Sequence, residues 1–253
     1  MKNMAFLTKF SIATFVLQQP EYHHLKSSTP VTTNTFRTVP LQEKNINIDE
    51  TTGKCKFGIK QYWDDMYKGT GDRPSQSYSW YCGWEELGPF WKELVPDTNS
   101  HVLIAGIGND PTPISLYDVG WKKMTAFDYS QAGVERAKSL FGPDRGDVTI
   151  INADARNLPI EDGTVNAILD KGTLDAIYIT GEHVFHESVE EFTRVTALGG
   201  VFVCVSNVIL PEVLLSSFES SLWENIHDGG LAFTSDGEAT IDLGAYLFSW
   251  RRI

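Results

Sequence analysis

Short apolar segments that each end at a glycine or an aspartate constrain the fold of this chain most. In chain order they are followed by Gly106, Asp128, Asp154 and Asp170, and helical patterns separate them. Strands that alternate with helices form parallel sheets covered by helices on both faces. The carboxyl ends of such strands lie along one edge of the sheet, where ligands bind. The four residues are therefore expected to meet at one site.

The same pattern, followed to the end of the chain, predicts the remaining elements. Strands are predicted at residues 101–105, 123–127, 147–152, 165–169, 201–206, 223–227 and 244–250. Helices are predicted at residues 59–68, 83–94, 131–141 and 183–198, with others ending near Tyr117 and beginning at Pro211. The glycine pair Gly199-Gly200 is expected to end the helix at residue 198. The predicted class is an α/β fold with a seven-stranded, mostly parallel sheet, helices on both faces and a C-terminal antiparallel strand pair.

The residues at the predicted strand ends suit an adenosine-type ligand without a pyrophosphate. Gly106-Ile107-Gly108 would let the ligand approach the backbone, although such glycines also make simple turns. Asp128 could accept both ribose hydroxyls, or act only as an acid ahead of the helix cap at Ser130. Asp154 could accept from an adenine amino group, or be an ordinary loop acid. Pro111 replaces the third glycine of the dinucleotide motif, and no phosphate-binding lysine follows. That absence argues against NAD and against a P-loop.

The strand-end motifs and the aromatic segment before them match a known family. The sequence resembles the class I S-adenosylmethionine-dependent methyltransferases, and among them the group that contains the elongation-factor-1-alpha lysine methyltransferases. The likeness runs from residue 59 to about residue 205 and implies a Rossmann-like fold. It is carried by residues 62–67, Trp80-Tyr81, 106–109, 128–130, 154–158 and, most specifically, the Leu-Asp-Lys-Gly-Thr-Leu-Asp-Ala block at 169–176.

The resemblance implies a role in binding S-adenosylmethionine for each matching strand-end residue. Gly106 would lie against its methionine part, and Gly108 would be a further cofactor-binding residue. Asp128 would bind the ribose, and Tyr129 would lie beside the adenine. The Asp154-Ala155 pair would contact the adenine edge through a carboxylate and a backbone N–H.

Four further residues are implied around the cofactor. Trp63, Tyr67 and Trp80 would form an N-terminal lid, and aromatic faces attract a sulfonium cation by about 0.5–2 kcal/mol. Their alternative role is core packing of an N-terminal helix. Lys171 would lie by the cofactor at the end of the fourth strand, or be a surface lysine beside Asp170.

The methyl acceptor is less constrained than the cofactor. A protein lysine is expected first, with a small-molecule thiol, thioether, amine or carboxylate as the alternative. A third hypothesis is a binding protein that keeps the cofactor pocket without turnover. Relatives that methylate lysine tend to carry a Gln-Pro-His-Phe-Arg-like stretch after the fifth strand, where this chain has Ser-Asn-Val-Ile-Leu at 206–210. The candidate acceptor-side groups are Asp170, Asp175, Tyr81 and Asn207, and no general base is assigned.

Composition and residue spacing argue against a nucleic-acid partner, a bound metal and a membrane span. The net charge of −12 disfavours a nucleic-acid partner and suits a small molecule or a basic protein segment. The three cysteines, Cys55, Cys82 and Cys204, are too far apart for a disulfide framework or a zinc site. His183 and His186 are spaced like two ligands on one helix face, but no third ligand is evident, so no metal is expected. No segment is long and apolar enough to span a membrane, and the folded part is expected to be soluble.

The chain divides into two regions by composition. Residues 1–55 are rich in Ser, Thr, Pro and Asn after a short apolar run, and they are interpreted as a flexible tail or a targeting segment. Residues 56–253 are predicted to form one methyltransferase domain. A cytoplasmic location is expected for a plain tail, and an organelle for a targeting segment. The oligomeric state is not predicted.

Overall fold

A seven-stranded sheet with strand order β3-β2-β1-β4-β5-β7-β6 organises the chain. The structure is a computed structural model that describes residue 49 and residues 53–233 and 245–253. All of these lie in one unit spanning Lys44–Ile253. The predicted N-terminal tail falls almost wholly outside the described residues. The strands are β1 Val102–Ala105, β2 Met124–Asp128, β3 Thr149–Asn152, β4 Val165–Lys171, β5 Thr196–Ser206, β6 Trp223–Phe233 and β7 Ala245–Arg252.

The first five strands run parallel, and β7 pairs antiparallel with both β5 and β6. This confirms the predicted fold class. The register sets Ala105 of β1 beside Asp170 of β4, and Asp128 of β2 beside Asn152 of β3. The strand-end residues therefore lie along one edge of the sheet, as the sequence pattern predicts.

Helices cover both faces of the sheet, since helical residues belong to both of the buried clusters that flank it. Ser130 caps α4, where its side chain accepts from the backbone N–H of Gly133 at 3.2 Å. The helices are α1 Lys60–Lys68, α2 Trp84–Leu94, α3 Thr112–Asp118, α4 Gln131–Phe141, α5 Thr173–Thr180, α6 Glu182–Val195 and α7 Pro211–Ser217, with 3-10 turns at Lys56–Gly58 and Pro143–Arg145.

The alternation of side chains along each strand divides the core between the two faces. Val102 and Ile104 of β1 belong to one buried cluster, and Leu103 and Ala105 belong to the other. Burying a large apolar side chain contributes about 1.5–3 kcal/mol. Because both faces of β1 are buried, this central strand holds the strand-end loops on a rigid base.

The predicted end of the long helix is wrong. The helix α6 ends at Val195, and β5 begins at Thr196, which pairs with Val165. The Thr196 hydroxyl donates to the carbonyl of Phe192 at 2.6 Å, and the Thr196 backbone N–H donates to the same carbonyl, which closes the last turn. The Gly199-Gly200 pair lies inside the strand, at an irregular register next to β4, so the glycines bend a strand rather than end a helix.

Helix α5 was not predicted. Its eight residues include a single charged side chain, Asp175, so it lacks the polar face by which a surface helix is recognised. It begins directly after Gly172, whose φ of 81° places it in the left-handed region that glycine tolerates. The characteristic block at 169–176 therefore crosses from the end of β4 into the first turn of α5.

Within the described part of the chain, no helix is long and apolar enough to cross a membrane. Nor do the described residues contain a group of three or more His, Cys, Asp or Glu that could hold a metal ion.

Candidate active site

The turn after β1 requires glycine at two positions. Gly106 has φ of 57° and Gly108 has φ of 46°, both in the left-handed region. A Cβ on Gly106 would lie 2.2 Å from Thr173 Oγ1, and a Cβ on Gly108 would lie 2.2 Å from the Tyr67 hydroxyl. Any larger residue at either position would displace its neighbour, so the glycines serve close backbone approach as well as the turn.

Asp128 is buried at the end of β2 and is only 2% exposed. Its carboxylate accepts from the backbone N–H of Gly108 at 2.9 Å and of Ser130 at 2.8 Å. Burial raises the pKa of Asp128 to about 6, although the two N–H donors oppose that shift. At neutral pH the group is an ionised acceptor beside the glycine turn, and the bonds leave lone pairs for ligand hydroxyls.

The predicted lid residues lie together. The Trp63 and Tyr67 rings stack 6.2 Å apart at 28°, and Trp80 meets Trp63 edge-on at 6.0 Å. The Trp63 indole N–H donates to the Phe57 carbonyl at 2.8 Å, which ties α1 to the preceding 3-10 turn. The buried Tyr67 lies against Gly108, so the cluster covers the turn after β1. The three rings both pack against one another and cover the turn after β1. Their role in holding the cofactor stays a prediction.

Tyr129 lies on the outer side of this region and is 42% exposed. The Lys60 ammonium of α1 lies 5.6 Å from its ring centroid and also pairs with Asp64 at 2.7 Å. Asp64 in turn accepts from the Ser130 hydroxyl, so α1 is fastened to the start of α4. An accessible ring at the end of β2 is compatible with the predicted place beside an adenine.

Asp154 follows β3 and is tied to a neighbour that sequence analysis missed. It accepts from the Arg156 backbone N–H at 3.0 Å and from its guanidinium at 2.7 Å. The arginine hydrogen bond holds the pKa of Asp154 below its usual range. The carboxylate is about half exposed, while Ala155 is buried. Asp154 keeps free lone pairs, and its predicted contact with adenine remains a prediction.

Lys171 is buried, with a side chain only 4% exposed, so the alternative that it is a surface lysine is wrong. Its ammonium donates to the Ser79 hydroxyl at 2.7 Å and to the carbonyls of Trp80 and Cys82 at 2.7 and 3.0 Å. It also pairs with Asp110 at 3.1 Å. Because an ammonium has three N–H donors, these acceptors use them fully. Lys171 ties the aromatic segment to β4, and its predicted place by the cofactor stays untested.

The segment that Lys171 holds contains a strained turn at Tyr81. Among the described residues, Tyr81 is the sole non-glycine residue with positive φ, at 66°. The Cys82 N–H donates to the Trp80 carbonyl at 2.7 Å, which closes a γ-turn around Tyr81. The γ-turn with positive φ is the rarer, strained form, and such strain costs roughly 1–3 kcal/mol and persists only where surrounding contacts impose it.

Asp175, in the first turn of α5, is a buried meeting point of hydrogen bonds. Its Oδ2 accepts from the Tyr81 hydroxyl at 2.6 Å and from the Asn207 N–H at 3.0 Å. Its Oδ1 accepts from the Ser206 hydroxyl and, at 3.3 Å, from the N–H groups of two residues that follow, Val208 and Ile209. Two other candidate acceptor-side residues, Tyr81 and Asn207, are therefore both hydrogen-bonded to Asp175.

Asp170, the remaining acceptor-side candidate, lies in the interior. It is fully buried. Its carboxylate accepts hydrogen bonds from the Leu174 N–H at 3.0 Å and from the Cys204 thiol at 3.1 Å. Burial raises the pKa of Asp170 to about 7. Its contacts join the start of α5 to β4 and β5, which is a structural role.

Known methyltransferases are similar in sequence to this chain. A family model described as a methyltransferase domain matches residues 103–204, from β1 through most of β5. The eEF1A lysine and N-terminal methyltransferase of Xenopus laevis is 28% identical over 206 residues, which is 78% of this chain and 29% of that protein. The Mus musculus protein is 30% identical over 60% of this chain and 22% of its own length. The EEF1A lysine methyltransferase 4 of Bos taurus is 29% identical over 60% of this chain and 62% of its length. The chain thus spans less than a third of the first two relatives.

Solved structures confirm the fold. The [4+2]-cyclase SpnF superposes with a TM-score of 0.57 at 16% identity, over 78% of this chain and 96% of SpnF. A SAM-dependent methyltransferase from Methanosarcina mazei superposes with a TM-score of 0.56 at 10% identity, over 65% of this chain and 97% of that one.

The sheet order is that of a Rossmann-like fold, and the strand-end cluster lies within or beside the residues that match the methyltransferase-domain model. Gly106, Gly108 and Asp128 fit an adenosine-type ligand, because the glycine backbone can be approached closely and the carboxylate can accept ribose hydroxyls. Residues 103–204 therefore match a methyltransferase-domain family, which implies S-adenosylmethionine as the cofactor, and the chain is similar to the eEF1A lysine methyltransferases.

Proposed function

We propose that the chain transfers a methyl group from S-adenosylmethionine to a lysine of a protein, with eEF1A as the first acceptor to test. The observation that carries methyl transfer is the buried Asp128 beside the Gly106–Gly108 turn, under the Trp63–Tyr67–Trp80 cluster. The lysine acceptor is supported by the relatives, whose names specify eEF1A lysine.

The cofactor supplies a methyl group on an activated sulfonium, so the protein's contribution is placement of the nucleophile in line with it. A lysine must be neutral to attack. Burial lowers the pKa of an amine, and the aromatic segment around Trp80 offers such an environment. The Tyr81 hydroxyl keeps its proton at neutral pH, because burial and the neighbouring Asp175 raise its pKa. Tyr81 therefore serves here as a hydrogen-bond donor, and the structure assigns no general base.

The charge of the chain supports a protein acceptor that is locally basic. The net charge of −12 attracts a lysine-rich segment over long range, and salt screens that attraction. Methylation of the protein acceptor is therefore expected to slow as ionic strength rises.

The test is transfer of label from tritiated S-adenosylmethionine to purified eEF1A, followed by mass spectrometry of the modified residue. An Asp128→Asn variant should bind the cofactor more weakly and transfer correspondingly less label. An Asp118→Asn variant serves as the matched control, because Asp118 pairs with Arg145 on the surface and should leave transfer unchanged. Label on a lysine supports the proposal, and label that never enters protein contradicts it.

A small-molecule acceptor is the second candidate. It is favoured by the segment at 206–210, which lacks the stretch typical of the lysine-methylating relatives and exposes the apolar Val208 and Leu210. In a labelled cell extract, this candidate predicts radioactivity in the low-molecular-weight fraction alone.

A further inference from the structure

We propose that Tyr81 and Asp175 are positioning residues that align the methyl acceptor with the cofactor, by fixing the loop after β5 to the aromatic segment that covers the cofactor side. This inference rests on the methyl-transfer activity proposed above. It does not depend on which acceptor is used.

The cofactor side of the device is the turn at Trp80–Cys82. Lys171 binds the carbonyls of Trp80 and Cys82, on either side of Tyr81. The Tyr81 ring lies so close to Gly172 that a Cβ there would be 3.0 Å from Tyr81 Cε2. The turn is held by its backbone and by the Tyr81 ring, and the Tyr81 hydroxyl donates to Asp175 Oδ2 at 2.6 Å.

The acceptor side of the device is the loop that begins at Ser206. Successive backbone N–H groups from Asn207 to Ile209 point at the Asp175 carboxylate, at 3.0 to 3.3 Å. One carboxylate therefore sets the conformation of this loop and receives the hydroxyl of Tyr81 on the same oxygen, Oδ2, that binds Asn207. A movement of the turn is transmitted to the loop through a single buried group.

This coupling has a direct consequence for methyl transfer. In-line displacement is sensitive to misplacement of the nucleophile by about 1 Å. A loop that is free of the turn would still bind an acceptor, and the cofactor would still bind beside Asp128, but the two would be held in line less often. The expected signature is a loss of turnover without loss of cofactor affinity.

The test is the Tyr81→Phe variant, which keeps the ring on Gly172 and removes only the bond to Asp175. We expect its kcat with eEF1A to fall by about tenfold or more, while its calorimetric Kd for S-adenosylmethionine changes by less than about threefold. Amide hydrogen exchange of the peptide covering 206–210 should become faster, because the loop loses a fixed partner. A Ser206→Ala variant, which removes a bond to Asp175 from the loop side, should give the same pattern.

Tyr117→Phe is the matched control. The Tyr117 hydroxyl also donates to an aspartate, Asp147, at 2.6 Å, but on elements outside the strand-end site. It should leave kcat and exchange at 206–210 unchanged. Unchanged turnover in Tyr81→Phe, turnover loss without faster exchange at 206–210, or a loss of cofactor affinity equal to the turnover loss would each overturn the proposal. Because exchange needs no acceptor, the proposal is decided even if eEF1A is not methylated.

Discussion

Asp128 is the residue predicted to bind the ribose of the cofactor, and its pKa of about 6 gives a pH prediction. A ribose hydroxyl donates to the ionised carboxylate, so binding requires the proton to leave. Affinity for S-adenosylmethionine should be full above that pKa and should fall by up to about tenfold per pH unit below it. Calorimetric titrations between about pH 7.5 and about pH 5 measure this.

The Asp128→Asn variant is the control for that titration. Its side chain cannot ionise, so its weaker affinity should vary little over the same range. A wild-type affinity that stays constant down to about pH 5 would show that Asp128 does not bind the ribose in its ionised form.

Gly108 tests how closely the lid lies on the glycine turn. Gly108→Ala would place its Cβ 2.2 Å from the Tyr67 hydroxyl, so we expect loss of about 1–3 kcal/mol of stability and at least tenfold weaker cofactor binding. Gly199→Ala is the control, since φ there is 78° but nothing lies within 4 Å of the added Cβ. It should cost about 1–2 kcal/mol from backbone strain and leave cofactor affinity intact. Equal affinities in the two variants would mean that the cofactor does not approach Gly108.

At the scale of elements, Lys171 joins β4 to the segment at 79–82 by three hydrogen bonds, and its ammonium also forms a pair with the carboxylate of Asp110. Lys171→Met would leave the Asp110 carboxylate without its cation, and breaking a buried pair in this way costs roughly 3–5 kcal/mol. We expect a clearly lower melting temperature and weaker cofactor binding. Thermal unfolding with and without S-adenosylmethionine measures both.

Two variants complete that experiment. Lys92→Met removes an exposed lysine of α2 and should leave the melting temperature unchanged. Adding Asp110→Asn to Lys171→Met should restore part of the lost stability, because the unpaired charge is gone. A Lys171→Met protein as stable as the wild type would contradict the role assigned to the pair.

Elements with local start and stop signals were predictable from sequence. The bounds of α4 agree with the predicted 131–141 because Ser130 caps the helix and Gly142 ends it. The predicted end of α6 was wrong, because Thr196 pairs with β4 and this pairing outweighs the local helical pattern. Helix α5 was missed because its sides carry no polar contrast. Local signals therefore fixed most elements, and tertiary pairing decided the rest.

The candidate site also contains features that local sequence patterns predict and features that they do not. The strand-end positions of Gly106, Asp128 and Asp154 follow from the alternation of elements. The bond between Tyr81 and Asp175 joins residues 94 positions apart, and no local pattern contains it. Residue types at the ends of strands are visible in a sequence, whereas the contacts that brace them depend on how distant loops meet.

At the scale of the whole molecule, the fold does not determine the reaction. The same architecture occurs in a protein described as a [4+2]-cyclase, so the sheet alone does not assign a reaction. Methyl transfer is argued from the strand-end residues and the family match. The acceptor depends on the loop after β5, where this chain departs from the family pattern.

The N-terminal boundary of the functional unit can be tested by two truncations. The domain is predicted to begin at residue 56, and a unit boundary lies at Glu43. Removing residues 1–43 should leave cofactor affinity and the melting temperature unchanged, whether those residues are a tail or a targeting segment. Imaging the full chain and this truncation in cells then tests the expected cytoplasmic location against the organelle alternative.

Removing residues 1–59 instead deletes the 3-10 turn at Lys56–Gly58 and should disturb the lid. The Phe57 ring meets Tyr62 at 5.3 Å and Trp80 at 5.7 Å, and its carbonyl accepts from Trp63. Phe57 is half-buried, so loss of its ring contacts should cost less than the roughly 3–5 kcal/mol of a fully packed aromatic side chain. We expect the longer truncation to bind S-adenosylmethionine at least tenfold more weakly than the shorter one, in side-by-side calorimetric titrations. Equal affinities would mean that the lid does not contribute to cofactor binding, and Trp63, Tyr67 and Trp80 would then be core residues alone.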